Sequence, residues 1–74
     1  MTDEELAQAR RMSDILGLRI RLGLSQAAFA ERFHINLRTL RDWEQGRRVP
    51  EKIARAYLKV IGHNPDLVAA ALED

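Results

Sequence analysis

Apolar residues along this chain recur at spacings of three and four, no stretch alternates strictly, and β-branched residues are sparse. That period is the helical one, and it predicts an all-α fold, a compact bundle of five or six short helices. Thr2 stands in position to cap a first helix through "DEELAQARRM", whose acids fall at the positive N-terminal turn. Ser13 can cap a second through "DILGLRIRL", ended near Gly23, although Leu6, Ala9, Leu16 and Ile20 also fit one stripe that would join the two across Ser13. Ser25 occupies an N-cap position before "QAAFAERF", and Asn36 does so before "LRTLRDWEQ", with Gly46 placed to end that helix in the left-handed conformation. Pro50 opens "EKIARAYLKVI", Gly62 closes it, and Asn64-Pro65 starts a last short helix through "DLVAAAL".

The inward positions of these helices define an expected core of Leu16, Ile20, Leu22, Leu24, Ala27, Phe29, Ala30, Phe33, Ile35, Leu40, Trp43, Ile53, Ala54, Tyr57, Leu58 and Ile61. Leu67, Val68 and Leu72 form a further apolar stripe, more than a lone last helix needs. They are the candidate dimer contact, with packing on Leu58 and Ile61 as the alternative. A length of 74 residues allows one small core and little room for a separate cleft. No linker, repeat or low-complexity segment divides the chain, so residues 1–12 read as an N-terminal helical arm and 13–74 as one domain.

Charge changes this picture through its distribution. The formal net charge is only +1. Residues 32–59, however, hold eight cations against three acids, a local balance of +5, while acids gather at both ends (Asp3, Glu4, Glu5; Asp66, Glu73, Asp74). A basic middle between acidic ends suits a domain that turns one face to a polyanion. The chain has no cysteine, so packing rather than disulfides or thiolate metal sites must hold it together. The N-terminus lacks the apolar run of about seven residues that a secretory signal requires, and no segment approaches the roughly eighteen of a membrane span. The expectation is a cytoplasmic protein with no membrane contact.

Between residues 25 and 45 the two helical runs are joined by very few residues. The first can bury Phe29 and Phe33, the second Leu40 and Trp43, and the short "HIN" link makes the runs cross steeply. This is a helix-turn-helix. Once Leu40 and Trp43 point inward, Leu37, Arg38, Arg41 and Asp42 fall on the outer face and its flanks. A helix with an arginine-bearing outer face fits the major groove of B-form DNA, where arginine can give two hydrogen bonds to guanine.

The stretch "LGLRIRLGLSQAAFAERFHINLRTLRDWEQGRRVP" resembles the phage repressor and Cro (XRE) helix-turn-helix family, through "R-x-x-x-G-L-S-Q-x-x-F-A", the spacer and "T-L-x-x-W-E-x-G". The likeness covers about residues 14–61, and "RRVPEKIARAYLKVIGHNPDLVAAAL" is similar to small regulators and antitoxins of the HigA kind. The resemblance implies a lambda-repressor-like domain that binds double-stranded DNA as a homodimer on palindromic operators, often repressing its own promoter while neutralising a protein toxin. It places Leu37, Arg38, Thr39 and Asp42 against bases. Leu37 departs from the polar residues of phage members and suits a thymine methyl or the core. Arg38 is the main base reader, with Asp42 four residues on to hold its guanidinium or to accept from cytosine. Gln26 would meet a phosphate at the start of the first motif helix. Arg41, Arg47 and Arg48, at the flank and beyond the end of the second, suit phosphates by charge. Arg19 and Glu44 match a structural salt bridge of the family.

Trp43 reads as core through its step from Leu40 rather than as a stacking platform. His34 and His63 have no partner at ligand spacing and read as surface or turn residues, so no metal and no cofactor is expected. Ser13 and Ser25 are explained as caps, and neither a phosphate loop nor a paired-carboxylate cleft is present, so an enzyme is not expected. The expectation is a sequence-specific DNA-binding regulator; the competing one is a protein-interaction module whose main role is to bind a toxin.

Overall fold

The computed structural model describes residues 2–3 and 14–73, and among these the regular structure is helical throughout. Residues 14–21 are helical (α1), followed by α2 (Gln26–Arg32), α3 (Leu37–Gln45), α4 (Lys52–His63) and α5 (Pro65–Leu72). The expected cap by Ser13, the arm at 1–12 and the question of one or two initial helices fall almost wholly outside the described residues.

Local chemistry sets the boundaries as expected at four of the caps. Ser25 Oγ accepts from the Ala28 amide at 3.1 Å, Asn36 Oδ1 from Thr39 at 3.1 Å and Asn64 Oδ1 from Leu67 at 3.2 Å. Each satisfies an amide that its helix leaves without an internal partner. Gly46, at φ 76°, ends α3 in a Schellman turn: the Arg47 amide donates to the Asp42 carbonyl at 2.9 Å and that of Gly46 to Trp43 at 3.3 Å. Gly23 closes α1 in the same way. Between α2 and α3 the motif recurs with His34 at φ 55°, a left-handed position held without glycine. Two expectations fail here. Gly62 does not stop α4, which runs on to His63, because Asn64 and Pro65 impose the break. Pro50 does not open α4 either; Glu51 is its N-cap, and buried Pro50 instead accepts a hydrogen bond from Arg55 through its carbonyl.

One cluster forms the core: Ile15, Phe29, Ala30, Phe33, Leu40, Trp43, Leu58, Ile61, Val68 and Ala69. Phe29 and Phe33 pack with ring centroids 4.9 Å apart and planes tilted by 56°. Of the other expected core residues, Leu22, Leu24, Ile35, Ala54 and Tyr57 are partly buried against it, and four lie outside altogether. Leu16, Ile20 and Ala27 are exposed, and Ile53 is 84% exposed. In α1 and the turn that follows it the inward stripe is Ile15, Leu18 and Leu22, the alternative helical phase, because Arg19 turns with it to reach Glu44. In α4 the inward set Ala54, Tyr57, Leu58 and Ile61 rotates Ile53 outward.

Tyr57 joins α4 to the motif. Its hydroxyl donates to the Phe33 carbonyl at 2.6 Å, satisfying an acceptor at the end of α2, and partial burial raises the phenol pKa. Tyr57→Phe is expected to lower stability by about 0.5–1.5 kcal/mol, read as a lower urea midpoint at unchanged slope. No change in midpoint would mean that water replaces the bond.

Candidate nucleic-acid interface

Helix α3 divides into two faces. Leu40, with no exposed surface, and Trp43, at 7%, point into the core. Arg38, Arg41 and Gln45 are exposed on the opposite side. Arg38 makes no side-chain hydrogen bond or ion pair among the described residues. Gln45, seven residues after Arg38 and so on the same exposed face, was missed by the sequence reading; that spacing was the available signal.

The other residues expected on this face are more engaged. Leu37 is half-buried and packs on the core cluster, which favours its alternative as a partial core residue. Thr39 is half-buried. The Asp42 side chain, 15% exposed, lies 3.8 Å from Arg47 Nη1, so its carboxylate pairs with Arg47 and not with Arg38 as expected. Arg47 and Arg48 are exposed immediately beyond α3, and their backbone N–H groups both donate hydrogen bonds to the Asp42 carbonyl.

Beneath this face α3 is fixed to the rest of the domain. Arg19 Nε and Nη2 each donate to a Glu44 carboxylate oxygen at 2.9 Å, and Arg19 Nη1 donates to the Leu24 carbonyl at 3.0 Å. The expected salt bridge is therefore present and bidentate, with side chains only 16% and 5% exposed. Hydrogen bonding to Glu44 raises the Arg19 pKa above its usual value, opposed by partial desolvation. Gln26 extends the network, donating to Glu44 at 3.3 Å and accepting from Arg41 Nε at 3.4 Å. Gln26 and Arg41, expected to meet phosphates separately, are therefore joined to each other in the fold.

A family model for the helix-turn-helix domain matches residues 4–71. An XRE-family-like helix-turn-helix protein from Agrobacterium tumefaciens, solved by crystallography, is 53% identical, superposes with a TM-score of 0.80 and covers 81% of this chain and 97% of its own. This chain belongs to the XRE helix-turn-helix family. The family is one of DNA-binding regulators and not of enzymes. Antitoxin HigA-2 of Vibrio cholerae serotype O1 is 35% identical over 60 residues, which is 81% of this chain. This XRE-family chain corresponds to 58% of that relative's length.

The candidate dimer contact of this XRE protein needs correction. Val68 is buried in the chain's own core and Leu72 is half-buried against it, so the alternative of intramolecular packing holds for both. Leu67 alone of the three is exposed, at 64%. Among the described residues no group of histidines and acids could hold a metal, and no helix is long and apolar enough to cross a membrane.

Proposed function

We propose that this XRE-family protein is a sequence-specific, double-stranded DNA-binding transcriptional regulator, a repressor that occupies a palindromic operator as a homodimer. The observation that carries the reading is Arg38, exposed and unpartnered among the described residues on a helix whose inner side is held by the Arg19–Glu44 pair. A free guanidinium on a fixed helix is what bidentate readout of guanine requires. Thr39 flanks it as a further base contact, with Asp42 through its pair with Arg47 and Leu37 through the part of its side chain left outside the core, and Leu67 is the part of the terminal stripe left to meet a second copy. Selection from a random duplex pool tests this. The expected product is a palindrome with half-sites about one helical turn apart; a pool with no enriched site overturns it.

Arg41, Arg47 and Arg48, with Gln26 beside Arg41, serve the phosphates. Their joint replacement by alanine is expected to flatten the dependence of log K on log salt by roughly one unit per lost contact. An unchanged slope removes them from the interface.

A second reading, capture of a protein toxin, is supported by the likeness to Antitoxin HigA-2. Both activities can reside in one chain. Toxin capture through an apolar or acidic surface is expected to survive Arg38→Ala, whereas operator binding is not.

A further inference from the structure

A cavity of about 700 Å³ opens between α1 and α4, and no residue of α3 lines it. Its floor is apolar, formed by Ile15, Leu18 and Leu58, all of them in or against the core. Two helical glycines line it, Gly17 on α1 and Gly62 on α4. Glycine inside a helix weakens it, and neither of these has the positive φ that would require one. Nor does close packing require them: among the described residues a Cβ at Gly17 would meet nothing within 4 Å, and one at Gly62 only ordinary contacts at 3.8 and 3.9 Å. At these two positions the cavity lining carries no side chain.

The polar lining is cationic. Among the described residues Arg21, Arg55 and Lys59 line the cavity, with His63, against the carboxylate of Asp14. Arg21 Nη2 donates to the Gly62 carbonyl at 3.0 Å and Arg55 Nη1 to the Pro50 carbonyl at 3.2 Å. Neutral acceptors orient each guanidinium without cancelling its charge, so further N–H groups remain for an anion. Apolar walls beside two oriented guanidiniums and Lys59, none of them in an ion pair among the described residues, form a site of mixed chemistry.

We propose that this cavity binds a small amphipathic anion, with a ring-sized apolar body on Ile15, Leu18 and Leu58 and a carboxylate or similar oxyanion at Arg21, Arg55 and Lys59. This inference stands independently of the DNA reading. The full chain, labelled with nitrogen-15, is titrated with 1-naphthoate, with its neutral counterpart 1-naphthylmethanol and with inorganic phosphate. Saturable shifts at the Gly17 and Gly62 amides are expected with naphthoate, and the alcohol and phosphate are each expected to bind at least about tenfold more weakly. Gly17→Leu, which fills the cavity with a good helix former, is expected to abolish naphthoate binding, and Lys59→Gln to weaken it roughly tenfold while leaving the circular dichroism unchanged. Lys59→Gln alters an exposed side chain, so it keeps the test decisive if leucine disturbs the fold. Naphthoate without saturable shifts, equal binding of the alcohol, equal binding of phosphate, or wild-type affinity in Lys59→Gln each overturns the site.

Discussion

Val68→Asp is expected to unfold the chain rather than to separate two folded copies. Val68 is 9% exposed and belongs to the same cluster as Phe29, Leu40 and Ile61. Losing a buried valine forfeits about 1.5–3 kcal/mol of apolar burial, and an unpaired carboxylate adds several more in desolvation. A total above about 4 kcal/mol meets a small domain whose whole stability lies near the low end of about 5–15 kcal/mol. The helical circular dichroism signal should therefore collapse at room temperature. A variant that remains helical would show that the residue is less enclosed than the fold implies. Leu67→Asp is the contrasting case: at 64% exposed it is expected to keep the fold, so any loss of self-association in sedimentation then reports on the surface and not on the core.

Glu44→Ala is expected to cost about 2–4 kcal/mol. It leaves the Arg19 guanidinium largely shielded from water with its two carboxylate bonds gone, and it removes the acceptor of Gln26. Breaking a fully buried pair costs about 3–5 kcal/mol, and the residual exposure of Arg19 discounts that figure. Replacing both Arg19 and Glu44 by methionine should cost much less than the single change, because no charge is then left unpaired. Urea unfolding of the three variants measures both effects. A Glu44→Ala loss below about 0.5 kcal/mol would class the pair with exposed surface bridges.

Much of the fold was legible because helix ends are local. Ser25, Asn36, Asn64 and Gly46 act within a few residues of themselves, and each one sits where the sequence puts it. Helix phase was less legible. In "DILGLRIRL" two overlapping stripes compete, and the choice of Ile15, Leu18 and Leu22 over Leu16 and Ile20 depends on where Arg19 finds Glu44, 25 residues away. In α4 the same ambiguity turns on Tyr57, whose hydroxyl reaches Phe33 across 24 residues. At the interface, the inward direction of Leu40 and Trp43 followed from spacing, and with it the exposure of Arg38. The partner of Asp42 did not, because the Schellman turn at Gly46 brings Arg47 back toward Asp42 while Arg38 projects outward.

The most direct test is the affinity of Arg38→Ala for the selected operator and for a random duplex at one salt concentration. Loss of a base-reading guanidinium should weaken operator binding by about 1–3 kcal/mol, roughly 5- to 150-fold, and leave random-duplex binding nearly unchanged. Equal weakening on both duplexes, or no weakening on either, would contradict the assignment of α3 as the helix that reads sequence through Arg38.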